Sequence, residues 1–303
     1  MTAAATAPTT TTAREHGHQV PAWTRVSENV LTTTGPAGPG ATLIERSGRR
    51  GTAWTLVDHG RDLARTAELL YTAWLDGRDV SGLVLLAGHE HSGDTLASIE
   101  LRDWVPEHVS VLTPAQLSPG GTSLPHVPQS RAYRAGPDQA LIWSPADDVM
   151  IAGDLMAPDL PDLSHISPRR ALDGLQYAVA HAPLVLIGSH ANVISARAQV
   201  EGGARVETRH LATVADLRMR MDYLRDIATV AHAGAAQGLT PRAAAHAGWD
   251  RGVLSRWSAA DPERQARLTR RHMVNMHSAM ASECGRRVDL AAAHADAQAL
   301  TAS

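Results

Sequence analysis

Four short apolar runs constrain this chain more than any other feature: Leu56-Val57, Leu83–Leu86, Met150-Ile151 and Leu184–Ile187. Each is bounded by turn residues and too short for a buried helix, so each reads as a buried strand. Between them lie segments of helical periodicity. Arg61–Leu75 repeats Leu63, Ala67, Leu70 and Trp74 at three- and four-residue steps, and Arg169–Ala180 is a second such segment. Buried strands separated by helices make a layered α/β protein, in which function gathers at strand ends.

The ends of these four runs share a chemistry. The first continues into Asp58-His59-Gly60 and the second into Ala-Gly-His89-Glu90-His91-Ser92-Gly93-Asp94. The third continues into Gly153-Asp154 and the fourth into Gly188-Ser189-His190. Two imidazoles two residues apart on extended backbone lie on one side, because strand side chains alternate. Neutral imidazoles and carboxylates are ligands for Zn²⁺, Fe²⁺ and Mn²⁺. Sixteen histidines in 303 residues would produce about one His-x-His pair by chance. The pair alone is therefore weak, and the coincidence of four strand ends carries the reading.

Composition narrows the alternatives. Every basic side chain is Arg, so Schiff-base and P-loop lysines are excluded. A net charge of −3 gives no broad attraction to nucleic acid or to anionic membranes. Cys284 is the single cysteine, so neither an intrachain disulfide nor a cysteine zinc site can form. No apolar run approaches a membrane span, and Met1–Thr12 lacks the basic start and apolar stretch of a signal peptide. The expected location is the cytoplasm.

Three regions are expected. Residues 1–20 read as a flexible tail, 21–208 as the α/β body, and 209–303 as an all-helical extension. Within the body, Val30–Thr33, Ala41–Glu45, Thr52–Val57, Val109–Leu112, Ala140–Trp143 and Val149–Ala152 read as strands. Thr95–Leu101 reads as a helix, and residues 114–139, rich in Pro, Gly and Ser, as a loop bordering the site. In the extension, Leu217, Met221, Leu224 and Ile227 form an apolar stripe. The body must cover that stripe, or a second copy must in a homodimer. Thr240-Pro241 and Asp261-Pro262 read as helix starts.

The order of these motifs resembles the metallo-β-lactamase superfamily: strand–Asp–x–Gly, His-x-His, Gly-Asp, then a late histidine. The separations fit, with 31 residues from Asp58 to His89, 60 from Asp94 to Asp154 and 36 from Asp154 to His190. The resemblance covers residues 26–195. It implies a four-layer αβ/βα sandwich with one or two metals at the edge of facing sheets, followed here by a helical extension like those of alkylsulfatase-like or cap-bearing members. It also implies His89, His91, Asp94, Asp154 and His190 as metal ligands and Asp58 as a supporting group beside them. Two departures stand out. Gly93-Asp94 occupies the place of the family's Asp-His. The family's third histidine falls on Arg134-Ala135-Gly136-Pro137, where no ligand exists. His126 is a candidate replacement, and Arg134 a candidate partner for an anionic substrate.

The implied activity is metal-dependent hydrolysis of a small ester, lactone, thioester or sulfate ester, with Asp94 and Asp154 as the catalytic carboxylates and Zn²⁺ as the preferred ion. Two alternatives stay open. One is a non-hydrolytic metalloenzyme doing redox, lyase or rearrangement chemistry. The other is a metal-free binding protein that kept the fold.

Overall fold

The computed structural model describes residues 22–34, 40–48, 51–58, 63–86, 105–118, 120–136, 139–157, 159–189, 193–195, 207–250, 252–257 and 260–300. The first sheet runs in sequence order: β1 (Ala22–Arg25), β2 (Val30–Thr34), β3 (Ala41–Gly48), β4 (Gly51–Asp58), β5 (Val80–Leu85) and β6 (Ser110–Leu112). The second sheet does likewise: β7 (Thr122–Leu124), β8 (Val127–Gly136), β9 (Gln139–Ser144), β10 (Val149–Gly153), β11 (Val185–Gly188) and β12 (Val193–Ser195). Each begins as an antiparallel meander and then turns parallel. β4 pairs parallel with β5, β5 with β6, and β10 with β11. A parallel pair needs a crossover helix. Helix α1 (Leu63–Leu75) joins β4 to β5, and α2 (Pro168–His181) joins β10 to β11.

Side-chain alternation sorts the apolar residues into layers. Val57 and Val84 of the first sheet share a core with Ile142, Val149, Ile151, Val185 and Ile187 of the second. Their neighbours Leu56, Leu83 and Leu85 face the other way and pack with Leu69, Leu70 and Ala73 of α1. On the far side of the second sheet, Leu141, Met150, Ala152 and Leu186 pack with Ala171, Leu175 and Ala178 of α2. The result is the expected four-layer αβ/βα sandwich, with the helical extension attached.

That extension comprises α3 (Glu207–Ala236), α4 (Pro241–Asp250), α5 (Pro262–Glu283) and α6 (Leu290–Ala299). The expected caps form: Thr240 Oγ1 accepts from Ala243 N at 3.2 Å, and Asp261 Oδ1 from Glu263 N at 3.0 Å. The apolar stripe is buried, with Leu217, Met221, Leu224 and Ile227 each 7% exposed or less. It is covered from within the chain and belongs to the same core as Leu155, Met156, Leu175 and Leu186.

Residues 114–139 are not a loop. They contain a short 3-10 turn (Pro114–Gln116) and then β7 and β8. Pro128, Ser130, Arg131 and Arg134 interrupt the β-forming pattern of β8, so its composition hides it. Pairing with β7 on one side and β9 on the other supplies what local propensity lacks. Strands β1 and β12 lie at the sheet edges and are too short to carry a strand pattern of their own. The expected Thr95–Leu101 helix lies outside the described residues.

One buried titratable group in the extension has a measurable consequence. His272 of α5 is 1% exposed, with its Nδ1 3.2 Å from the Tyr223 hydroxyl. Burial disfavours the charged ring more than the Ala245 backbone favours it, and its pKa is pushed down to about 4. Above pH 6.5 the ring is neutral in both states. As pH falls, the unfolded chain takes up the proton first. Stability should therefore decline from pH 6.5 towards 4 and level off below, with His272 accounting for at most about 3 kcal/mol. Urea unfolding across that range should show the decline, and His272→Gln should flatten that part of it.

Candidate metal centre

The C-terminal ends of the four parallel strands β4, β5, β10 and β11 meet around Leu86. This residue is 1% exposed. Its N–H donates to the Asp58 carbonyl at 3.0 Å, tying the ends of β5 and β4. Its carbonyl accepts from Ala140 N at 2.8 Å, a hydrogen bond from one sheet to the other. Its Cδ1 lies 3.3 Å from where a Cβ on Gly153 would stand, so the end of β10 closes against it. Gly153 makes this approach in a left-handed conformation (φ 48°) that a larger residue would rarely adopt. The ends of β10 and β11 touch in turn: a Cβ on Gly188 would lie 1.9 Å from the Met156 carbonyl oxygen. Asp58, Leu86, Asp154 and Ser189 are thereby brought to one edge of the sandwich.

Asp58 is buried, and its carboxylate accepts a hydrogen bond from Thr66 of α1. Asp154 opens a 3-10 turn (Asp154–Met156) and is half-buried. Ser189 is buried, and its hydroxyl has no hydrogen-bond partner among the described residues. His89, His91, Asp94 and His190 lie outside the described residues, as does His59. Among the described residues no three His, Cys, Asp or Glu side chains gather into a metal-holding group.

Two further candidates separate clearly. His126 is exposed, in the turn between β7 and β8 with φ 60°. The neighbouring Pro125 carbonyl accepts from Thr55 Oγ1 at 2.7 Å, and Pro125 packs beside Gly82 near the start of β5. From Val127 to Arg134 the strand advances roughly 23 Å. His126 thus sits at the opposite end of the sandwich from Leu86 and does not replace the missing imidazole. Arg134 is at the right end, paired in register with Ala140. It shares a face with Ala132 and Ala140, which is the face turned to the first sheet. Ala135 faces outward, its Cβ 3.3 Å from the Cβ position of Gly174 in α2. Of the two residues, position 134 is therefore the one on the side of the site.

The segment after Asp154 carries a polar group that the motifs did not reveal. Asp162 donates its N–H to the Asp154 carbonyl at 2.9 Å, and its carboxylate forms an ion pair with Arg271 of α5. Burial opposes charge on both partners. Their mutual attraction, with hydrogen bonds from Ser164, holds the Asp162 carboxyl below its usual range. Burial likewise works against Arg271, but Asp162 and then Asp154 and Tyr223 draw its pKa above the ordinary value. The available sequence signal was the helical spacing of polar residues along α5.

No protein-family model matches this chain, and no curated protein matches it. Among solved structures, it is similar to the metallo-β-lactamase FIM-1 from Pseudomonas aeruginosa in its mono-zinc form. The TM-score is 0.41 and the identity 15%, over 65% of this chain and 95% of that one. It is similar to the DIM-1 metallo-β-lactamase with a TM-score of 0.40 at 14% identity, over 64% and 98%. A metallo-β-lactamase from Erythrobacter litoralis gives 0.42 at 14% identity, over 65% and 95%. At such identity the likeness is one of fold.

The packing of β11 on the Asp154 turn is testable. Gly188→Ala should destabilise the protein by about 3 kcal/mol or more, because a methyl there meets backbone that cannot swing aside. Gly120→Ala, with open space around its Cβ position, should change stability by less than about 0.5 kcal/mol. Paired urea titrations read both.

Proposed function

We propose that this protein is a metal-dependent hydrolase of a small molecule, acting in the cytoplasm at the edge where β4, β5, β10 and β11 end. The observation that supports this most directly is the convergence of those four ends on Leu86. The residue chemistry fits a divalent ion. Asp154 presents a carboxylate at one strand end, the buried Ser189 hydroxyl lacks a partner among the described residues, and His190 follows it directly. His89, His91 and Asp154 would hold one ion, and Asp94, His190 and Asp154 a second. Zn²⁺ suits imidazoles and carboxylates best, while two histidines with a carboxylate also suit Fe²⁺ or Mn²⁺.

A bound ion supplies Lewis acidity, bringing the pKa of a water towards neutrality and polarising the oxygen under attack. Asp94 or Asp154 would orient the attacking water and take its proton. Asp58, anchored to Thr66 and to the Leu86 amide, steadies the start of the histidine loop. Arg134 stands where the resemblance expects an imidazole. A guanidinium cannot ligate a metal but pairs well with a carboxylate or sulfate, so the favoured substrates are anionic esters, lactones, thioesters or sulfate esters. The same departure favours a second reading, a metalloenzyme of non-hydrolytic chemistry.

Protein purified without chelators should carry one or two divalent ions per chain by elemental analysis, and His89→Ala or His91→Ala should remove most of them. A wild-type protein that neither contains metal nor takes it up would overturn the proposal and leave a binding role. Metal with no hydrolysis of any substrate class would favour the second reading. Arg134→His should slow loss of metal during dialysis against chelator, whereas Ala135→His, facing α2, should not.

A further inference from the structure

After β10, the described residues of 154–163 contain one 3-10 turn and otherwise no regular structure, yet many of them are buried. Buried irregular backbone must find hydrogen bonds from elsewhere. Here they come from the helical extension. Arg220 of α3, 1% exposed, donates to the Ala157 carbonyl at 2.8 Å. It is itself held by Asp216 at 2.7 Å and lies over the Trp257 ring at 5.4 Å. Asn275 of α5, 0% exposed, grips both sides of Asp162. Its Nδ2 donates to the Pro161 carbonyl at 2.8 Å, and its Oδ1 accepts from Leu163 N at 3.0 Å. Ser278 donates to the Leu163 carbonyl, Arg271 pairs with Asp162, and Arg264 reaches Asp159 at 2.9 Å. Residues 264, 271, 275 and 278 lie along one side of α5. Asp162 then passes the restraint on through its N–H to the Asp154 carbonyl.

Stability alone does not call for such an arrangement. Burying an amide and a guanidinium costs desolvation that apolar side chains of similar volume would avoid. What a satisfied polar network adds is a single geometry for the groups it holds. We propose that the helical extension is a clamp that sets the position of Asp154, with Asn275 and Arg271 as its positioning residues. The inference rests on Asp154 being a metal ligand. On that reading the extension completes the metal centre from behind and contributes no ligand itself.

The test uses the full chain loaded with Zn²⁺ or with Co²⁺. Asn275→Ala and Arg271→Gln should weaken zinc affinity about tenfold or more, the range seen when groups supporting metal ligands are removed. They should also alter the visible absorption of the cobalt-loaded protein and speed hydrogen exchange at the Asp162 amide. Arg271→Lys, which keeps the charge, should restore part of the affinity. His277→Gln is the control. It removes a 2.9 Å contact from α5 to Asp296, away from the segment, and should leave affinity and spectrum unchanged even if it lowers the melting temperature. If Asn275→Ala does not fold, Arg271→Gln carries the test, since that side chain is 33% exposed. Wild-type affinity and spectrum in folded Asn275 and Arg271 variants would overturn the clamp alone. A wild-type protein that binds no metal would overturn both the clamp and the metal reading beneath it.

Discussion

Burial of the parallel strands on both faces is the constraint from which the rest of this structure follows. β4, β5, β10 and β11 each have the other sheet on one side and helices on the other. Polar side chains in those strands would be stranded away from water, so the runs are apolar, and chemistry can enter only where they stop. Parallel pairing within each sheet then aligns the stops. The two pairs come together because Leu86 bonds across the gap to Ala140 and closes on Gly153. The candidate site is a consequence of how these strands are covered.

The helical extension belongs to the same logic. Its apolar stripe packs on α2, so one continuous core runs from Met150 and Leu186 of the second sheet through α2 into α3 and α5. Its polar stripe meets the irregular chain leaving β10. A helix that supplies both apolar cover and hydrogen bonds to a neighbouring loop does not behave as an appendage. Removing it would uncover α2 and strip the segment after Asp154 of its partners together.

The legibility of the sequence divides along the same line. Doubly covered strands appear as uninterrupted apolar runs, and all four were readable, with Asp58 and Asp154 at the ends of two of them. Helix starts with Asp-Pro or Thr-Pro were readable because capping is local. β8 was not, since Pro128, Ser130, Arg131 and Arg134 lack a strand pattern and two neighbouring strands hold it in place. His126 illustrates the limit for the site. As a histidine in a Pro- and Gly-rich stretch it resembles a loop ligand, but once β8 forms, the strand's length puts it at the far end. The Asn275 and Arg271 contacts left only the spacing of polar residues along α5 as a signal, because they join residues more than 100 positions apart with no motif between them.

Strand parity bears on the missing imidazole in a way that spacing cannot. A sequence alignment treats residues 134 and 135 as nearly equivalent places for a ligand. In β8 they are on opposite faces, one turned to the first sheet with Ala132 and Ala140, the other packed on Gly174 of α2. The substitution that matters is therefore Arg134 for an imidazole, and it changes charge as well as ligation. A neutral donor gives way to a fixed cation near a cluster that would already hold positive ions. Arg134 is exposed at this end of the sheet, where a guanidinium keeps part of its hydration and its charge is easily borne. On electrostatic grounds, the residue that weakens the resemblance is also the one behind the proposed preference for an anionic substrate.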